Sequence, residues 1–166
     1  MALDLEELHR FVDAVLTQND GDHFNTLGIK VEGVALHRVS MSMPYSEQLI
    51  GDPDTGVLHG GAITTLLDTC CGFAAATALD DLGMTPTIDL RIDYMRAATP
   101  GKTVYADAEV YRVTSSVIFT RALAHHGETS RPVASAVGNF FRMEEALFAD
   151  LRREFRASEA AKRAAQ

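Results

Sequence analysis

The sequence reads as an α+β fold in which one long helix is wrapped by a curved antiparallel sheet, and three observations lead there. An almost continuously apolar run at residues 62–79 follows the stretch Thr55-Gly56-Val57-Leu58-His59-Gly60-Gly61. Strand-like segments then come in close succession between residues 87 and 142, joined by links short enough to imply antiparallel neighbours. Those segments carry small residues on shared faces: Ala106 with Ala108, Ala122 with Ala124, and Ala134 and Ala136 with Gly138. A sheet built from them can close at short range on a bulky object, and a buried helix is such an object.

The run at 62–79 is long enough for a helix of about five turns at ~3.6 residues per turn. Its apolar residues, from Ile63, Leu66 and Leu67 through Cys70, Cys71 and Phe73 to Ala76, go most of the way round, so burial on nearly all sides is expected. Gly60 and Gly61 stand where the first backbone N–H groups lack intrahelical acceptors. Glycine lets a ligand approach that backbone, and a helix start of this kind favours an anion or a developing oxyanion. Asp68 is the one acid in the run. A lone carboxylate on a buried helix is costly unless it is paired or has a task. A bond to Thr64 or Thr65 one turn back and a role in a cleft both stand open at this point.

The flanking elements follow from local pattern. Asp4 with Glu7 three residues on resembles a capping box. Leu5, Leu8, Val12, Val15 and Leu16 follow at helical spacing, predicting an amphipathic helix over 5–18 ended by Asn19-Asp20-Gly21-Asp22. Residues 28–43 alternate as a strand with a slip at Gly33 that predicts a bulge or bend, and Pro44 stops it. Residues 45–57 read as a loop. The central helix ends near Asp80-Asp81, with Gly83 and Pro86 as breakers. Strands are predicted at 87–94, 103–113, 117–125 and 132–142. Residues 144–164 form a closing amphipathic helix with Leu147, Leu151 and Phe155 on one stripe and an end expected to fray. With no linker or repeat, residues 1–166 are taken as a single domain with its core at about 28–142.

Composition narrows the function. A formal charge of −8 and a pI near 5.1, with scattered basic residues, argue against a nucleic-acid partner. No apolar run approaches the ~20 residues of a membrane span, and the acidic start lacks the basic region of a signal peptide. A cytoplasmic protein with no membrane partner is therefore expected. Cys70 and Cys71 are neighbours on a helix and point apart, giving neither a disulfide nor a metal framework. His125-His126 face opposite ways on a strand and read as strand-end surface. Ser115-Ser116 reads as turn chemistry, and no nucleophile elbow, P-loop or dinucleotide fingerprint is present. Neither metal nor cofactor is implied.

The layout, with Gly56-Val57-Leu58-His59-Gly60-Gly61 opening the helix and an acid nine residues after His59, resembles the hotdog-fold acyl-CoA thioesterases. Within them it is most similar to the phenylacetate-degradation and 4-hydroxybenzoyl-CoA thioesterase group. The strand Thr87-Ile88-Asp89-Leu90-Arg91-Ile92-Asp93-Tyr94-Met95-Arg96 also resembles that family's strand after the helix. The resemblance implies hydrolysis of a small, medium-chain or aromatic acyl-CoA to free acid and coenzyme A. It implies Asp68 as the catalytic carboxylate, acting as general base or nucleophile. It implies the Gly60 backbone N–H as the donor that polarises the thioester carbonyl, and Thr87 as a hydroxyl that positions water or carboxylate. His59 joins this group, with an orienting role ranked ahead of direct chemistry. Family members carry Asn or Gln in the loop before the histidine. Here the loop reads Asp52-Pro53-Asp54, so Asp52 is the equivalent and Gln48 the substitute, although an ionised acid donates no hydrogen bond. Gly61, Arg91 and Arg96 are candidates for holding substrate, the arginines through coenzyme A phosphates, a reading shared by Lys102 and Arg142. Phe73, Met84 and Met95 are candidates for the acyl pocket.

Gly60 and Asp68 are eight residues apart, about 12 Å along a helix at ~1.5 Å per residue. One thioester carbonyl cannot meet both on the same helix. Two helices lying antiparallel across a two-fold axis would bring Gly60 of one subunit near Asp68 of the other, so a homodimer, alone or as a dimer of dimers, is expected. Two other functions fit the same fold: a non-catalytic acyl-CoA-binding or regulatory module, and an enoyl-CoA hydratase. The acid beside the glycine helix start favours the hydrolase.

Overall fold

The computed structural model describes residues 4–17, 23–143 and 148–164. In chain order the elements are α1 (Leu5–Thr17), α2 (His23–Leu27), β1 (Lys30–Ala35), β2 (Arg38–Met43), a 3₁₀ turn (Glu47–Leu49), β3 (Ile50–Asp52), β4 (Val57–Leu58), α3 (Gly60–Ala76), β5 (Thr87–Tyr94), β6 (Val104–Val113), β7 (Val117–His125), β8 (Ala134–Phe141) and α4 (Ala149–Ala164). Six strands make one antiparallel sheet in the order β1-β2-β6-β7-β8-β5, and β3 and β4 pair separately. This is the hotdog fold, a long helix held in a six-stranded sheet, with further helices at both ends.

The small residues decide how closely helix and sheet meet. Ala106 pairs with Ala124, Ala108 with Ala122, and Ala122 and Ala124 with Ala136 and Ala134, so a patch of alanines lies under α3. At Gly138 an added Cβ would stand 2.7 Å from the Phe140 ring and 3.0 Å from Leu90, so a side chain here would have to push the Phe140 ring aside. The helix answers with Leu66, Leu67, Cys70, Cys71, Ala74 and Ala75, all buried. The Cys70 thiol donates to the carbonyls of Val39 and Ala106. Burial raises both thiols, that of Cys71 to about 12.

Four expectations change. Residues 28–43 are a hairpin, β1 and β2, although the bulge lies near Gly33 as the pattern suggests. The turn at Leu36-His37 carries no turn-forming residue. His37 sits at φ 63 and is held there from outside: its N–H donates to Thr77 Oγ1 at 2.7 Å, and its carbonyl accepts from Val110 N–H at 2.8 Å. The loop at 45–57 contains the 3₁₀ turn and the short β3–β4 pair. His125 is buried rather than on the surface, with Nε2 2.8 Å from Asp107 Oδ2 and the ring stacked on Tyr105. Its neighbour His126 bonds the Thr99 N–H and the Thr103 carbonyl. On the closing helix, Leu151 lies at the surface while Phe155 is buried. Phe155 meets Phe11 edge to face at 5.3 Å, and Arg156 pairs with both Glu7 and Asp81 at 2.7 Å, which ties α4 to α1. The predicted stop at 19–22 and Leu147 lie outside the described residues.

Candidate active site

His59 is the N-cap of α3: its Nδ1 accepts the Gly61 N–H at 2.9 Å. That bond uses the second N–H of the helix and leaves the first. Among the described residues the Gly60 N–H meets no protein acceptor, so a free donor stands at the positive end of the helix. The Gly60 carbonyl is held from another direction. Tyr94, the last residue of β5, donates its hydroxyl to it at 2.7 Å and lies 2.7 Å from Thr64 Oγ1. The Gly60–Gly61 peptide is therefore fixed at both ends, with the tyrosine ring lying where a side chain at 60 would go. Sequence reading treated Tyr94 only as one more alternating apolar residue. Tyr94 pairs with Ala134 on β8 and is half exposed.

Two turns along the helix, Asp68 is half-buried rather than enclosed. Its partner is neither Thr64 nor Thr65, whose hydroxyls bond back to the Gly60 and Gly61 carbonyls. Instead Thr87 Oγ1, at the first residue of β5, donates to Asp68 Oδ1 at 2.9 Å. A serine or threonine hydroxyl donating to a carboxylate fixes one oxygen and leaves the other for a water or a substrate. Asp68 and Thr87 lie on the lining of a cavity of about 570 Å³, together with Phe73, Met84 and Phe140 and with His23 and Phe24 of α2. Met95 is not on that lining; it is 56% exposed at the end of β5. The α2 residues were missed because nothing in a five-residue segment after a predicted stop marks it as a wall.

The remaining candidates are more scattered. Asp52 is the last residue of β3, beside the β3–β4 turn, and is exposed. Its carboxylate accepts the Thr55 hydroxyl and the Asp54 N–H, which hold it below the usual carboxylate range. Gln48 is exposed in the 3₁₀ turn, whose cap is the Ser46 hydroxyl. Arg91 pairs along its own strand with Asp93 at 3.0 Å, and Arg96 binds the carbonyls of Arg131 and Pro132. Within one chain, then, Asp68 with Thr87 and Gly60 with Gly61, His59 and Tyr94 form two separate groups. A wider concavity of about 740 Å³ on the outer sheet face is lined by charges that satisfy one another, Arg38 and Arg121 both meeting Glu109. Among the described residues no group of histidine, cysteine and acidic side chains could hold a metal ion, and no helix is long and apolar enough to cross a membrane.

The thioesterase superfamily model matches residues 55–133, which include the helix start, Asp68 and Thr87. A Pseudomonas aeruginosa protein of known crystal structure is 47% identical, with a TM-score of 0.71, covering 84% of this chain and 98% of that one. Over residues 55–133 the chain is thus similar to the thioesterase superfamily. Other similar proteins differ more. The medium/long-chain acyl-CoA thioesterase YigI of Escherichia coli K12 is 26% identical over 127 residues, 69% of this chain and 81% of its own. A Halobacterium salinarum protein named as an esterase is 38% identical over 94 residues, 55% of this chain. The match spans only 61% of that relative's length.

Proposed function

We propose that the chain, as a single domain, hydrolyses acyl-CoA thioesters at sites shared between two copies of itself. The observation that carries this is the carboxylate of Asp68, oriented by Thr87 at 2.9 Å on the lining of an apolar cavity. The free Gly60 N–H at the start of the same helix supplies the second component. Because the two lie about 12 Å apart along α3 at ~1.5 Å per residue, one site takes Gly60 from one chain and Asp68 from its twin. The unpaired edge of β5, with Ile88 and Met95 more than half exposed, supports such an association.

In this reading the thioester oxygen sits against Gly60 N–H, whose dipole-backed donor stabilises charge as it develops. Asp68 takes a proton from water, and the water oxygen adds to the carbonyl carbon. The tetrahedral intermediate collapses with departure of the coenzyme A thiolate, which recovers the proton from Asp68. A single turnover in ¹⁸O water that left label in the Asp68 carboxylate would instead make it the nucleophile of a mixed anhydride. His59 and Tyr94 hold the Gly60–Gly61 peptide, which adjoins the His59–Gly60 peptide that carries the donor N–H. The finer placement, in the phenylacetate-degradation and 4-hydroxybenzoyl-CoA group, rests on His59-Gly60-Gly61 followed by Asp68.

The test is steady-state hydrolysis of an acyl-CoA panel followed by thiol release. Asp68→Asn should cost at least about 100-fold in kcat on the best substrate, the scale of losing a general base. Full activity in that variant refutes the assignment. Saturable acyl-CoA binding without turnover would leave a binding module, and loss of enone absorbance from an enoyl-CoA would indicate a hydratase.

A further inference from the structure

We infer that the acyl chain of the substrate runs along the floor of the cavity beside Asp68, and that Gly72 sets how long that chain can be. This rests on the thioester-hydrolase reading of the same site. From Asp68 the cavity follows one face of α3, reaching Gly72 one turn on and Ala76 two turns on. At ~1.5 Å per residue that floor is about 12 Å long. An extended chain of carbons joined by ~1.5 Å bonds advances about 1.3 Å per atom, so roughly eight to ten carbons fit. The roof is Val15 of α1 and Phe24 of α2, and the walls include Met84 and Phe140. The titratable lining groups are Asp68 and His23, and His23 bonds Thr65, at the Asp68 end. Beyond them the lining is mainly hydrocarbon, with Thr69 and with Thr85, whose hydroxyl is taken up by the Gly72 carbonyl. Such a lining favours an unbranched aliphatic chain over a charged one.

Gly72 is the telling position. Glycine is a poor residue for the middle of a helix, and packing does not demand it here. An added Cβ would come no nearer than 3.4 Å to the Phe140 ring and 4.0 Å to the Thr85 carbonyl, ordinary contact distances. What a side chain would do is divide the floor between Asp68 and Ala76. The Thr85 hydroxyl donates to the Gly72 carbonyl at 2.7 Å and keeps the opposite wall close, so the obstruction could not be evaded by a shift of the loop alone.

The experiment measures kcat/KM for straight-chain acyl-CoAs of four to fourteen carbons, with the fold checked by circular dichroism. In the wild type, kcat/KM should rise with length to a maximum near eight to ten carbons. Gly72→Val should lower the decanoyl-to-butyryl ratio of kcat/KM at least tenfold, and Gly72→Ala should lower it by a smaller factor. Phe24→Ala, which opens the roof, should raise the tetradecanoyl-to-octanoyl ratio at least threefold and decides the matter if Gly72→Val does not fold. Equal scaling of all chain lengths in these variants overturns the inference while the hydrolase reading stands. Thermal shift with decanamide separates the other case. Stabilisation of the wild type but not of Gly72→Val, without turnover of any ester, upholds the cavity inference and refutes hydrolysis. Neither turnover nor stabilisation overturns both.

Discussion

Tyr94→Phe isolates one atom at the helix start. The ring, which lies 3.3 to 3.6 Å from where a Cβ on Gly60 would be, stays in place. The lost hydroxyl is the closer of two hydroxyl donors to the Gly60 carbonyl, the other being that of Thr64, which it also neighbours. A neutral hydrogen bond contributes about 0.5–1.5 kcal/mol net. Tyr94 is 51% exposed, so water replaces part of what is lost, and about 1 kcal/mol is an upper working figure. Expressed fully in the transition state, about 1 kcal/mol is roughly a fivefold fall in kcat. Removing an oxyanion donor altogether costs about 10²–10³. The difference reflects a donor loosened rather than lost, since the Gly60 N–H itself remains and His59 still holds the adjoining Gly60–Gly61 peptide. The assay is steady-state acyl-CoA hydrolysis with kcat and KM resolved, beside a melting curve. The expectation is a roughly fivefold lower kcat, KM within about twofold, and a Tm lower by about 2–4 °C for a chain of this size. An unchanged kcat with the same fall in Tm would show that Tyr94 only staples β5 to α3, and the positioning argument would fail.

Two further outcomes concern the scaffold. Burial works against ionisation of Asp81, but the Leu82 N–H and Arg156 outweigh it and hold its carboxyl below the usual carboxylate value. Its stabilising contribution is therefore complete above about pH 3.9 and is lost as pH falls below that through the lowered folded value. Acid melting followed by circular dichroism should show that loss, and Asp81→Asn should remove it; an identical acid profile in the variant would refute the assignment. Cys71, pushed up to about 12 by burial, and Cys70, also raised, should not react with a disulfide reagent at pH 8 until the protein is unfolded. Release of either thiol within seconds from native protein would contradict the packing of α3.

What was legible in the sequence follows from where each signal lives. The central helix announced itself because its apolar residues have no polar stripe to compete with, and the alanine faces of β6, β7 and β8 matched it before any pairing was known. The strand at 117–125 carries alternation bounded by turn residues, and β7 spans those residues. The β1–β2 turn was illegible because His37 is held at its positive φ by Thr77, forty residues away. His125 looked like surface because alternation describes one strand, while its burial comes from Asp107 and Tyr105 on the next. At the site, Asp68 stood out as an acid in an apolar run, and Gly60 as a helix start. Thr87, the partner of Asp68, was named through the family resemblance, whereas the anchor of the Gly60 carbonyl and the α2 wall arise from tertiary placement, to which neighbouring residues give no clue.

The shared site is tested most directly by mixing two inactive chains. Gly60→Pro removes the N–H at a first helical position, where proline is favoured. Its Cβ, 3.2 to 3.6 Å from Tyr94, would push that exposed side chain aside by a few tenths of an ångström, so the fold is checked by circular dichroism. His59 already lies at φ −63 and ψ 133, the region a residue before proline prefers. Asp68→Asn removes the acid. Each variant alone should be inactive. Unfolded together and refolded at equal amounts, half the dimers are mixed, and each mixed dimer has one intact site of two, so activity should return to about a quarter of wild type. If the mixture stays as inactive as its parts while its chains demonstrably exchange, the acid and the amide do not meet across two chains.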